Sequence, residues 1–220
     1  MTPCASAITV AEEAPLDGSR RFKLSQRRFT IGLAAAAKAA NDKTLWQVPI
    51  VAVTGSGAVH RFVMNSAEQT VSIPTTAGET EGAGKSWVKF NAGQTGFYRV
   101  DSTASTKNAA ALTEALASNA LEPLDRLGLI SDAFAFAATS KDGGNKPPNA
   151  AGAALGLVAA CSNEPDLYVW KELAGHLKTY ISAFGDDAEC GASNNAAPPR
   201  RRRPTPLPQM CSGTLNSSRS

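Results

Sequence analysis

His60 and His176 are the two histidines of a 220-residue chain that also holds four cysteines, Cys4, Cys161, Cys190 and Cys211. Zinc hydrolysis needs imidazoles gathered on one ion: in H-E-x-x-H, two histidines one helical turn apart grip the metal and the glutamate between them activates its water. Here His60 falls in a strand-like run and His176 in a helical one, with no glutamate set beside a histidine pair. A structural or solvated role is the expectation for both. The cysteines form no C-x-x-C pair and do not cluster, which argues against a zinc ribbon or a disulfide framework and for reduced thiols. No catalytic, metal or cofactor site is expected, and the most information-dense stretch is "SWVKFNAGQTGFYRV", residues 86–100.

Within it, Trp87, Phe90, Phe97 and Tyr98 read as core aromatics of a β-sandwich, with Gly93 and Gly96 opening the turn between two strands. The sharper alternative has Tyr98 and Arg99 reaching a neighbouring domain or a peptide, since arginine binds carboxylates bidentately. Strand-borne aromatics are usually packing residues, so scaffolding is preferred. Asp125 and Arg126 could likewise contact a substrate, but charges near a helix start more often serve the helix dipole or a domain interface. Trp170 and Tyr168 resemble a stacking platform only in isolation; on its periodic stripe Trp170 reads as core. The interface or structural positions are therefore Trp87, Gly96, Phe97, Tyr98, Arg99, Asp125, Arg126 and Trp170.

The elements that must position these residues fall into two periods. Over residues 6–102, short apolar runs separated by turn signals predict an all-β sandwich of seven strands. "SAITVAEE" and "RFKLSQRRF" bracket "APLDGS", whose Asp17-Gly18 suits a hairpin turn. "LWQVPIVAV" puts Trp46, Val48, Ile50 and Ala52 on one face, while Pro49 argues for an edge position or a bulge. "VHRFVMN", "QTVSIP", "SWVKF" and "GFYRV" complete the set. The alanine-rich interval 30–44 reads as a long surface loop rather than a helix.

After residue 102 the period becomes helical. A helix over residues 106–117 follows from alanine and leucine content. A second, "PLDRLGLISDAFAFAA", has proline in its first turn and Leu124, Leu127, Ile130 and Phe134 on one face. "KDGGNKPPN" breaks the chain, "AAGAALGLVAAC" forms a third helix, and a fourth starts at "NEPDLYVW" with Pro165 in its first turn. Along it Leu167, Trp170, Leu173, Leu177, Ile181 and Phe184 make a sustained stripe. The fold class is α+β: a sandwich domain (1–104), a helical-hairpin array (105–188), and a disordered Pro/Arg/Ser-rich tail (189–220).

Charge decides little, because 22 Lys+Arg against 19 Asp+Glu leave only +3. Arg200, Arg201, Arg202 and Arg203 could neutralise phosphates, yet prolines flank them and no aromatic is interleaved to stack a base. A merely solubilising tail is preferred, and nucleic acid is not an expected partner. No basic-plus-apolar leader and no run of about 18 apolar residues is present, so a soluble, unsecreted, cytoplasmic chain without membrane contact is expected.

"RFKLSQRRF", "LWQVPI", "WVKFNAGQTGFYRVD", "LDRLGLISDAFAFA" and "NEPDLYVWKEL", in this order and spacing, resemble segments of zinc aminopeptidases of the puromycin-sensitive aminopeptidase and aminopeptidase N family. The resemblance covers residues 6–188. It implies the small β-sandwich that follows the catalytic domain and the first helices of the large C-terminal superhelix. The family's zinc belongs to an upstream domain with a Gly-Ala-Met-Glu-Asn strand and an H-E-x-x-H helix, neither of which occurs here. The expectation is thus a non-catalytic fragment or truncated member, or alternatively a stand-alone interaction module. An array stopping near Ala188 leaves an uncapped apolar face, to be covered by the missing catalytic domain or by another protein.

Overall fold

The computed structural model describes residues 6–30, 42–74, 86–139 and 150–185. The interval 31–41, the break at 140–149 and the tail beyond 185, with its arginine run, lie outside the described residues. Seven strands come first: β1 (Ser6–Leu16), β2 (Ser19–Arg28), β3 (Val48–Thr54), β4 (Val59–Met64), β5 (Glu68–Pro74), β6 (Val88–Phe90) and β7 (Tyr98–Asp101). They form a four-stranded sheet in the order β5-β2-β1-β7 and a three-stranded sheet in the order β4-β3-β6. All ladders are antiparallel except β1 with β7.

The alternation that marks the strands also builds the core. Ile8, Val10, Phe22, Leu24 and Ile73 from one sheet meet Val48, Ile50, Ala52, Met64, Val88 and Phe90 from the other, and Tyr98 and Val100 close the cluster. Such two-layer packing buries one face of each sheet, at roughly 1.5–3 kcal/mol per large apolar side chain. Asp17 and Gly18 both take positive φ, 49° and 70°, in the two-residue connection that pairs Leu16 with Ser19. Glycine adopts that geometry without Cβ strain.

Pro49 is a correction. Its strand β3 is the central one of its sheet, not an edge. The bond from Thr54 N to Ala58 O, 3.0 Å, fixes the alternation: with Ala52↔His60, Ile50↔Phe62 and Val48↔Met64 as bonded pairs, the N of Pro49 points away from β4. On that side β6 pairs only with Ala52, Val53 and Thr54, so the missing donor breaks no ladder bond.

Among the described residues four α-helices follow: α1 (Thr106–Ala117), α2 (Pro123–Ala138), α3 (Ala150–Ala160) and α4 (Leu167–Gly185). Ser105 caps α1, its side chain accepting from Asn108 N. Asp166, not Pro165, starts α4: its carboxylate accepts from Tyr168 N (2.8 Å) and Val169 N (3.1 Å), and proline stands just outside the cap. A second core gathers Leu112, Leu116, Leu121, Ile130, Phe134, Leu157, Val169 and Leu173. The predicted stripes are narrower than expected, because Leu124 is 57% exposed on α2, and Leu167 and Ile181 are 76% and 64% exposed on α4. Residues 1–183 form one compact unit. Among the described residues no helix is long and apolar enough to cross a membrane.

Candidate functional site

Strands β6 and β7 and the turn between them carry most of the singled-out residues, and α1 and α2 pack on their outer side. Alternation dictates the sorting. Val88 and Phe90 face the sandwich core, so Trp87 and Lys89 turn outward beneath the helices. Trp87 is buried, but in the helical core rather than the sandwich, which corrects its assignment. Tyr98 and Val100 face inward, so Phe97 and Arg99 point out; Phe97 is 100% exposed and is not a core residue. Burial pushes the Tyr98 phenol up to about 12.

The turn is held by Asn91, in the left-handed conformation at φ 56°. Its side chain accepts from Gly96 N (2.9 Å) and donates to Gly96 O (3.2 Å) and Tyr98 O (3.1 Å). Gly93 has φ 64° and requires the freedom of glycine. Gly96 is needed for space instead, since a Cβ there would overlap the Tyr98 ring.

Two aspartates of α2 tie the helix to these strands. Asp125 accepts from Gly93 N at 2.8 Å and lies 3.9 Å from Lys89 Nζ. Lys89 also donates to Phe90 O (2.7 Å); burial lowers its pKa, with Asp125 and Asp132 opposing. Asp132, two turns along, accepts from Val100 N at 2.9 Å and from Arg99 Nη1 at 3.0 Å. Burial raises the Asp132 pKa against the pull of that amide, Lys89 and Arg99. Arg99 also lies over the Phe29 ring at 5.3 Å. Arg126, next to Asp125, points into the helical layer and binds Glu164 twice, each time at 2.8 Å, while also donating to Leu121 O. Trp170 donates Nε1 to Glu164 O (2.8 Å) yet is 43% exposed, so it flanks the core rather than filling it.

Sequence reasoning missed Arg20, Lys89, Asn91, Asn108, Asp132 and Glu164. Asn108 of α1 treats β6 as a neighbouring strand would, accepting from Val88 N and donating to Val88 O, both at 2.9 Å. Arg20 joins it (3.1 Å) while forking onto Glu12 at 2.8 and 2.9 Å. Local sequence carried little signal for Asn108, because it lies in the first turn of α1, where a polar residue is ordinary.

The charged groups of this junction pair with one another and with backbone. Histidines do not gather: His60 turns toward the sandwich interior from β4, while His176 meets Glu172 at 2.9 Å and stacks on Phe134 at 5.0 Å. Among the described residues no group of three or more His, Cys, Asp or Glu could hold a metal ion. An apolar cleft of about 320 Å³ opens between the end of β7 and α1, α2 and α3, lined chiefly by alanines, Leu129, Leu157 and Phe136. At its polar end Asp101 accepts from Thr103 N and Oγ1 at 3.0 and 2.6 Å.

A family model for the ERAP1-like C-terminal domain matches residues 87–197. The chain belongs to this family. The match to the ERAP1-like C-terminal domain begins at Trp87, just before β6, and takes in the turn, both aspartate straps and all four helices. The chain is 35% identical over 101 residues to aminopeptidase M1-B of Oryza sativa subsp. japonica, 44% of this chain and 11% of the relative. It is 35% identical over 130 residues to puromycin-sensitive aminopeptidase of Caenorhabditis elegans, 57% of this chain and 12% of the relative. With aminopeptidase 2 of Candida albicans the identity is 28% over 175 residues, 78% of this chain and 17% of the relative. The chain thus corresponds to part of an aminopeptidase-family protein and spans 11–17% of the length of these relatives.

Proposed function

We propose that this chain is a non-catalytic part of a zinc aminopeptidase, whose whole members remove N-terminal residues from peptides. Its role is to hold the sandwich and the helical array in one fixed relation. One observation carries this reading: the charged residues of the junction, Lys89, Arg99, Asp125, Arg126, Asp132 and Glu164, spend their hydrogen bonds on one another and on backbone between layers. Groups consumed in this way position elements and do not present themselves to a substrate. Zinc and the glutamate that activates water come, on this reading, from a domain supplied separately. The purified 220-residue chain with added zinc is expected to leave aminoacyl-naphthylamides intact. Turnover that a chelator abolishes would refute the proposal.

A second reading, a protein-interaction module, draws on the outer helical face, where Leu155, Leu167, Tyr168, Trp170 and Ile181 are exposed. It predicts self-association or dye binding that falls when Leu167 and Ile181 become serine. Unchanged behaviour would remove it.

A further inference from the structure

Among the described residues strand β4 is an edge of its sheet, and the alternation that explains Pro49 also determines what this edge offers. His60, Phe62 and Met64 spend their backbone groups on β3, so Val59, Arg61 and Val63 turn theirs outward. The same three residues direct their side chains to the outer face, where Val59 is 47% exposed, Val63 is 51% exposed and Arg61 is exposed between them. Among the described residues Arg61 has no ion-pair partner. Beside it on this face lies a groove of about 600 Å³, lined by Val51, Val53, Val59, Arg61, Glu122 and Leu124 among others.

Such an edge templates another strand, with main-chain bonds giving affinity and alternate side chains giving selectivity. Arg61 decides which strand. A second copy pairing antiparallel about the middle of β4 sets Arg61 against Arg61, and like charges directly opposite are destabilising. An acidic residue opposite Arg61, with apolar residues opposite Val59 and Val63, satisfies all three positions.

We propose that β4 is a docking edge for an extended segment of another polypeptide with the pattern apolar-x-acidic-x-apolar, added to the sheet as a fourth strand. This proposal is independent of the aminopeptidase reading, since it needs only the sandwich.

The test titrates the intact, isotope-labelled chain with two capped peptides, Thr-Val-Thr-Glu-Thr-Val-Thr and the same peptide with lysine in place of glutamate. The glutamate peptide is expected to shift and slow the exchange of the Val59, Arg61 and Val63 amides while leaving the already bonded His60 and Phe62 amides unchanged. The lysine peptide binds several-fold more weakly, and Arg61→Glu inverts that order. Arg61→Pro, which removes an outward donor that β3 does not use, abolishes binding with the fold retained; if that variant fails to fold, the charge inversion still decides. Equal affinity for both peptides, no binding at millimolar concentration, or protection elsewhere in the chain would overturn the assignment. So would concentration-dependent protection of the three amides without peptide, which would make the occupant a second copy.

Discussion

Arg126 and Glu164 stand 38 residues apart and are both almost fully buried, their side chains 5% and 1% exposed. Two ions taken out of water are tolerated only when geometry and further hydrogen bonds compensate, and here Leu121 O, Asp166 N and the paired 2.8 Å contacts do so. Removing one partner is worse than removing both. Arg126→Ala is expected to cost about 3–5 kcal/mol by leaving a buried carboxylate alone, and Arg126→Met with Glu164→Leu considerably less. Urea unfolding of the single and double variants measures the difference. A double variant no more stable than the single would show that the pair is not coupled. Arg126 drew attention in the sequence for its charge near a helix start, but nothing local to it names Glu164 as its partner.

At the scale of elements, helix α2 meets the β6–β7 turn through Gly128. A Cβ at Gly128 would overlap the side-chain amide of Gln94, itself at positive φ, 54°. Glycine in a helix interior costs roughly 1 kcal/mol relative to alanine. The overlapping atoms are the far end of a flexible glutamine held only by 3.5 Å contacts to Asn91, so the amide can swing aside. Gly128→Ala is therefore expected to leave stability within about 1 kcal/mol of the parent, the gain in helix propensity offsetting the displaced glutamine. Thermal unfolding measures it; a larger loss that Gln94→Ala relieves would show that Gln94 is locked in place. The strands and helices themselves were legible from period alone, and so was the hairpin at Asp17-Gly18. The facing of β6 and β7 was not, because four aromatics close in sequence were all assigned inward whereas alternation permits only Phe90 and Tyr98 to point there.

At the scale of the whole molecule, the aspartate straps, Asn108 and Arg20 join sandwich and helices within one compact unit over residues 1–183. Cooperative unfolding of this unit is the expected outcome. Tryptophan fluorescence and far-UV circular dichroism are expected to report one coincident urea transition. Ile50→Ala in the sandwich and Leu116→Ala in the helices should each lower that single midpoint in both probes, at a cost of about 2–5 kcal/mol. Separate transitions, each moved by only one substitution, would show two units that unfold independently.

The sequence by itself determined the type and order of the described elements, because a strand or an amphipathic helix is written in residues two to four apart, and five segments in order carried the resemblance to the family. Only the tertiary structure decided which face of each strand the helices cover, that Phe97 meets solvent while Trp170 flanks the core, and that Lys89, Asp125, Asp132 and Arg126 find their partners. Those outcomes depend on groups brought together from 32 to 38 residues away, where the cost of burying one charge is set by a neighbour that local pattern does not identify.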